Sequence, residues 1–286
     1  VAEKLSIPFQ VIDLSKDYKK KIVDYMFEEY KNGRTPNPDV LCNREIKFDL
    51  FLDIAIKLGA DYIATGHYAQ VTESKKNNKS LFHLKSGKDK SKDQSYFLCQ
   101  LNQFQLSKTI FPIGKINKKD VRIIAKKNNL ITADKKDSQG LCFIGKVKLP
   151  DFLQQSLKPK NGNVVLIDKS YYGYKSYSNP KGIKITSKKI KYNKSDGEII
   201  GHHNGAHFYT IGQRKGLSIG GRVKPLYVLS TDVVNNIIYV GEGSDHPGLF
   251  RSSLKVPTSK MHFISDPKKI EVKNLKARIR YRQALQ

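Results

Sequence analysis

The chain has 286 residues, 38% hydrophobic and 27% charged, too long for one ordinary compact core and too apolar for a disordered chain. Lys and Arg number 52 against 26 Asp and Glu, a net charge of +26. That excess favours polyanionic partners, because each cation set against a phosphate releases a condensed counterion. No run of about 18 apolar residues exists, which excludes a membrane-spanning helix, and Val1-Ala2-Glu3-Lys4 lacks the pattern of a secretory signal.

In chain order, Ile7 to Asp13 reads as a strand. Periodicity predicts a helix from about Tyr18 to Tyr30, with Ile22, Met26 and Tyr30 on one face and Val23 and Phe27 beside them. Gly33 to Asp39 is a loop in which Pro36 and Pro38 hold the backbone extended. A second helix is expected just after Cys42, with Ile46, Leu50 and Ile54 in register, ending at Gly59. Asp61 to Thr65 reads as a strand stopping at Gly66-His67, and this strand–helix–strand order predicts an α/β layer with a parallel sheet. Lys85 to Asp93 is a polar, basic loop. Asn117 followed by Asp120 predicts a helix start, with Val121, Ile124 and Ala125 behind it. Asp137 to Gly145 is a glycine-bounded turn. Beyond about residue 146 short strands are expected at Val164–Asp168, His207–Ile211, Leu226–Thr231, Ile237–Gly241 and Ala277–Arg282, with a hairpin at Asn235-Asn236 and a small barrel as the outcome. Ser170 to Ser195, rich in Tyr, Lys, Ser and Gly, reads as a flexible insertion.

The three cysteines, Cys42, Cys99 and Cys142, are too few and too odd in number for a disulfide scaffold, and they point to a reducing cytoplasm. None has metal-site spacing. Cys42 has two readings of equal weight. It is either a thiolate stabilised by a helix N-terminus with Arg44 and Lys47 near, and Asp39 within reach of a substrate proton, or a buried capping residue. Cys142, between Gly140 and Gly145, is either a reactive group in a turn that admits a ligand or a small residue filling that turn. Cys99, among large apolar neighbours, is expected to be buried. Gly66 ends a strand where open α/β sheets bind ligands, although many strands end in glycine. His202, His203 and His207 read as structural rather than metal-binding. Gly212 to Gly216 and Gly220-Gly221-Arg222 either line a phosphate path or form basic hairpin loops.

Taken together and in order, the motifs narrow the choice. Asn37-Pro38-Asp39-Val40-Leu41-Cys42-Asn43, Ala64-Thr65-Gly66-His67-Tyr68, Lys92-Asp93-Gln94-Ser95-Tyr96-Phe97-Leu98 and Phe111-Pro112-Ile113-Gly114 come first. Gly140-Leu141-Cys142-Phe143-Ile144-Gly145, Thr210-Ile211-Gly212-Gln213-Arg214-Lys215-Gly216 and Arg278-Ile279-Arg280-Tyr281-Arg282-Gln283 follow. This series resembles the bacterial tRNA-specific 2-thiouridylase family nearly end to end, apart from the stretch near 170–195. The resemblance implies an α/β, Rossmann-like domain of the PP-loop (adenine nucleotide alpha-hydrolase-like) type over 1–145, a small central domain over 146–220 and a C-terminal β-barrel over 221–286. It implies ATP, with Mg2+, adenylating the C2 oxygen of the wobble uridine of tRNAs for Lys, Glu and Gln, and sulfur from a cysteine persulfide displacing AMP.

By the same resemblance Cys142 carries the persulfide, Cys42 releases the sulfur and ends in a disulfide with it, and Asp39 is the acid/base. Asn37, Pro38 and Asp39 touch the target base. Gly66 touches ATP, while His67, Lys92, Asp93, Gln94, Arg280 and Tyr281 touch tRNA. The implied partners are tRNA and a sulfur-relay protein or cysteine desulfurase, with no membrane, in the cytoplasm. The family's Ser-Gly-Gly-x-Asp-Ser phosphate loop does not occur. It is expected to precede Val1, both ends read as cut, and the chain alone is expected not to adenylate uridine. Against this stand another PP-loop adenylating enzyme, which needs no cysteine pair, and a non-enzymatic RNA-binding protein. A thiol redox protein is disfavoured by the lack of Cys-x-x-Cys.

Overall fold

The computed structural model describes every residue except 77, 136–139, 141, 143, 144, 146, 148, 176–186, 267–274 and 282. It divides into two compact units, one formed by Val1–Ile22, Asn37–Lys146 and His262–Gln286, the other by Val23–Pro36 and Val147–Met261. No helix among the described residues is long and apolar enough to cross a membrane.

The first unit is organised around a helix over residues 38–57. The Asn37 side chain caps it by accepting the Val40 N–H at 3.3 Å, and Pro38 occupies the first helical position, where a missing N–H costs nothing. The expected start after Cys42 is therefore wrong by a full turn: Pro38 begins this helix instead of breaking an approach to it. The helix runs as α through Pro38–Cys42, as a π-helix through Asn43–Leu50 and as α again through Phe51–Lys57. Phe48 and Leu52 from it join Ile63, Ala69, Leu98, Leu101, Leu106 and Phe111 in one buried cluster, each full burial contributing about 1.5–3 kcal/mol.

Strand β1 (Ile63–Ala64) and strand β4 (Thr109–Ile110) pair in parallel, the expected α/β layer, though short. Between them β2 (Ala69–Lys76) and β3 (Lys79–Ser86) form an antiparallel hairpin that the sequence reading passed over. The Phe111–Gly114 turn sits so close to β2 that a Cβ on Gly114 would lie 1.7 Å from the Ala69 carbonyl oxygen, which only glycine permits. The helix predicted behind Asn117 is present at Lys118–Lys127.

Two expected strands of this unit are not formed. Over Ile7 to Asp13 no pairing exists, and Ile7, Phe9 and Val11 are 56, 79 and 76% exposed, since an alternating pattern makes a strand only where a partner edge and a covering layer are available. Ala277 and Arg280 likewise lie outside any strand. Ala277 instead exchanges two backbone hydrogen bonds with Gln286, at 2.8 and 3.0 Å.

The helix predicted from Tyr18 begins earlier, at Ser15, and ends at Lys31. Its Lys19–Val23 portion is π-helical, and it passes from one unit to the other.

In the second unit β5 (Gly162–Leu166), β6 (Glu198–His203), β7 (Leu226–Asp232) and β8 (Ile237–Glu242) form one sheet in the order β6-β5-β8-β7. β5 runs parallel to β8; the other two pairings are antiparallel. Consecutive residues face opposite sides: Val165 and Tyr239 belong to a cluster with Ile167, Tyr174, Ile190 and Tyr192, while Val164 and Ile238 join Ala206, Leu217 and Val228. The β7–β8 hairpin turns through Asn235 and Asn236 as expected. His207–Ile211 forms no strand, because the Asn236 side chain takes the Ala206 N–H at 3.0 Å and a 3-10 turn follows. The stretch expected to be a flexible insertion is anchored where it is described, with Tyr174, Ile190 and Tyr192 buried in the core; its residues 176–186 lie outside the described residues.

Candidate active site

Because the helix starts at Pro38, Asp39 lies in its first turn and Cys42 closes that turn, fully buried at 0% exposure. Cys142 is half-buried, with Gly140 (φ +119°) before it and Gly145 (φ +86°) after it in the sequence. The two thiols lie beside each other, close enough for each to shift the other's titration. The Cys142 carbonyl accepts from the Tyr18 hydroxyl at 2.5 Å, and the Asp39 carboxylate lies near its N–H. The Lys47 ammonium is also near the Cys142 sulfur.

These contacts divide the charges. The Cys142 thiol is drawn below the usual thiol range because Cys42 donates to it and Lys47 sits beside it, which outweighs burial and the Asp39 charge. Cys42 is pushed up, first by its hydrogen bond to Cys142 and then by burial. Of the two sequence readings of Cys42, the buried one matches its position, since the side chain lies inside; of the pair it is the Cys142 thiol that is lowered. Asp39 is raised by burial, against the Cys142 N–H and Lys47. Tyr18 is raised by burial and then by the nearby cysteines and Asp39.

The other sequence-singled residues fall into two groups. Gly66 is exposed just past β1, and nothing lies within 4 Å of where its Cβ would be. His67 is buried at 9% exposure, bonded through Nδ1 to the Thr65 hydroxyl at 2.8 Å and set 5.8 and 6.0 Å from the rings of Phe48 and Phe111. Burial, and then Lys47, lower it to about 4, so the ring is neutral and interior.

Asp93 is buried too, accepting from Gly87 N–H, Ser95 N–H and hydroxyl, and Arg278 at 3.0–3.2 Å. Gln94 exchanges hydrogen bonds with the Tyr68 backbone through its side chain and N–H, at 3.0 and 2.9 Å. Lys92 is half-exposed and Arg280 exposed, and Tyr281 packs on Phe97 and Tyr96 at 4.6 and 5.9 Å between centroids. Lys90, Lys92, Asp93, Arg278 and Gln283 line a cavity of about 800 Å³. Cys99 is exposed, contrary to expectation, because the 3-10 turn Ser95–Leu98 points Leu98 inward and the next residue out.

Residues 1–146 match the family model described as the tRNA methyl transferase HUP domain, and residues 181–242 match the tRNA methyl transferase PRC-barrel domain. The "tRNA-specific 2-thiouridylase MnmA" of Christiangramia forsetii is 55% identical over all of this chain and 74% of its own length. The protein of that name from Flavobacterium johnsoniae is 56% identical over the same shares, and that from Enterococcus faecalis is 44% identical over 99% of this chain and 68% of its own. The chain belongs to the tRNA-specific 2-thiouridylase family. As in that family, an α/β domain of the HUP, PP-loop class precedes a PRC-barrel domain; β6, β7 and β8 lie inside the barrel match and β5 before it.

For this member of the 2-thiouridylase family, sequence reasoning missed two residues of the thiol cluster. Lys47 was placed only as a charge near Cys42; its path to Cys142 depends on the π-helical stretch, which no periodicity announces. Tyr18 carried no sequence signal, being a helix residue like its neighbours. Away from the cluster, the Gly212–Gly216 loop is tied to β7 by Gly212 N–H to Val228 O at 2.7 Å and Val228 N–H to Gln213 O at 2.9 Å, leaving Arg214 and Lys215 exposed.

Proposed function

We propose that this protein is a tRNA-uridine 2-sulfurtransferase that replaces the C2 oxygen of the wobble uridine, in tRNAs for Lys, Glu and Gln, with sulfur carried by Cys142. The observation that supports it most is the approach of two thiols remote in sequence, with the Cys142 carbonyl held by the Tyr18 hydroxyl and Asp39 close by. ATP, with Mg2+, supplies the adenylyl group that makes the C2 oxygen a phosphate leaving group. The open space at Gly66, past the end of a parallel strand, fits the approach of such a nucleotide.

The chain's own residues serve three steps. In loading, the Cys142 thiolate attacks the outer sulfur of a persulfide on a sulfur-relay protein or cysteine desulfurase; Cys142–S–SH forms and the donor leaves as a thiolate. In release, Cys42 loses its proton to solvent and attacks the inner sulfur of Cys142–S–SH; the S–SH bond breaks, a Cys42–Cys142 disulfide forms, and the outer sulfur leaves with its own hydrogen as hydrosulfide. In transfer, the hydrosulfide bonds to C2, AMP departs, and Asp39 takes the remaining proton. A dithiol reductant then returns the disulfide to two thiols. Asn37 and Pro38, beside Asp39, hold the extruded base, and Lys92, Arg280 and Tyr281 offer charge and stacking to the RNA, with His67, Asp93 and Gln94 supporting those surfaces.

In cells whose only gene copy carries Cys142→Ser, tRNA should lose 2-thiouridine by nucleoside mass spectrometry. With Cys42→Ser, sulfur should accumulate on Cys142 without reaching tRNA. Normal thiolation with Cys142→Ser would leave the PP-loop adenylation reading without its thiol chemistry and would sink the proposal.

A further inference from the structure

The Lys92–Gln94 and Arg280–Tyr281 stretches meet inside one compact unit, although 185 residues separate Asp93 from Arg278. Among the described residues of 275–286 there is no helix or strand, and no backbone ladder joins them to 93–97. Side chains make the junction. Arg278 Nη2 donates to Asp93 Oδ2 at 3.2 Å, and its guanidinium carbon stands 5.8 Å from the centre of the Tyr96 ring. The Tyr96 hydroxyl donates to the Ile279 carbonyl at 3.4 Å, and the Tyr281 ring rests on Phe97 and Tyr96. Asp93 is the fixed half of the ion pair: it is buried, and Gly87 N–H and Ser95 N–H already hold its other oxygen. Arg278 is the half that brings the C-terminal stretch to it. A planar guanidinium can donate in its plane while its face lies against a ring. Its charge is met by Asp93, which a phosphate would have to displace, whereas Arg280, two residues on, is exposed.

We propose, on the tRNA-contact roles given above to Lys92, Arg280 and Tyr281, that Arg278 is a positioning residue for RNA recognition. Its ion pair with Asp93 and its contact with Tyr96 fasten the Arg280–Tyr281 stretch to the Lys92–Gln94 loop, so that RNA meets both as one surface. A surface assembled before binding spares the complex the entropy of ordering a stretch that no strand or helix holds.

Binding of unmodified tRNA to the full chain is measured by filter retention for wild type, Arg278→Met, Arg278→Lys, Asp93→Asn and the Arg278→Met/Asp93→Asn pair. Arg278→Met should weaken binding roughly tenfold, and Arg278→Lys, which keeps the ion pair, should recover most of that loss. Asp93→Asn should weaken binding to a similar degree, and the double variant should be no worse than either single one to within about twofold, since both remove the same tie. In protein already carrying Arg280→Ala and Tyr281→Ala, Arg278→Met should cost nothing more. If Asp93→Asn leaves affinity unchanged or tightens it, Arg278 meets phosphate directly with Asp93 as its competitor, and the positioning role is overturned; should Arg278→Met fail to fold by circular dichroism, this sign decides alone. Arg278→Met binding like wild type overturns the role as well. Wild-type affinity untouched by Arg280→Ala with Tyr281→Ala overturns the tRNA-contact roles themselves instead.

Discussion

Replacing Asp93 with Asn separates a residue that supports an RNA surface from one that touches RNA. The carboxylate is 8% exposed as a residue and accepts four hydrogen bonds: Oδ1 from Gly87 N–H and Ser95 N–H, Oδ2 from the Ser95 hydroxyl and Arg278. Asparagine keeps an acceptor for the two N–H groups, and the serine hydroxyl can rotate to accept from the new amide. Arg278, however, would face an NH2 group and lose a charge-assisted bond worth about 1.5–3 kcal/mol. Arg278 keeps 22% side-chain exposure, so water takes up part of that loss and about 2 kcal/mol is expected. Asp93→Ala also strands the Gly87 N–H, and the loss should rise to about 4 kcal/mol.

Hydrogen exchange read at the Gly87 and Ser95 amides reports this locally, which matters in a chain of two units that need not unfold together. Hydrogen bonds hold the Asp93 carboxyl below its ordinary range despite burial. Its contribution is therefore complete above the unfolded carboxylate value near 4 and disappears as pH falls through the lower folded value; the Asn variant should lack that dependence. Unchanged protection in Asp93→Asn, together with weakened tRNA binding, would refute the supporting role and make Asp93 a direct contact.

Two further outcomes follow from the same contacts. His67, lowered to about 4 by burial, is neutral in the folded protein, so stability it contributes above the unfolded value near 6.5 should be lost between there and pH 4, about 3 kcal/mol in all. Urea titrations at pH 7.5 and 4.5 should show a smaller difference for His67→Leu than for wild type, and equal differences would contradict the buried neutral ring. Lys92→Ala and Arg280→Ala should each weaken tRNA binding at low salt and reduce the slope of log K against log salt by about one; slopes identical to wild type would remove these cations from the RNA interface.

What the sequence disclosed was composition-level and motif-level, and the losses were matters of start points and partners. The β7–β8 hairpin was legible because apolar alternation and Asn235-Asn236 act within a few residues. The parallel pair β1–β4 was legible as a class though not in its partner, which lies far along the chain. Ile7–Asp13 and Ala277–Arg282 read as strands because alternation records the wish to be half-buried, and only the rest of the fold supplies an edge. One misplaced helix start had the largest effect on the site. Taking Pro38 as a breaker instead of a first helical residue put Asp39 on a loop and Cys42 at a helix N-terminus, whereas both lie inside the first turns of the helix. The meeting of Cys42 with Cys142 was not legible from spacing at all and came only through family resemblance.

The outward-facing Cys99 gives oxidation of this protein two different destinations. A Cys42–Cys142 bridge closes inside one unit and leaves the molecule single, whereas Cys99, which has no sulfur neighbour of its own, can be joined only to a thiol brought from outside. Dimers on a non-reducing gel would accordingly report Cys99, while a Cys42–Cys142 disulfide of the kind proposed for sulfur release would migrate as a monomer.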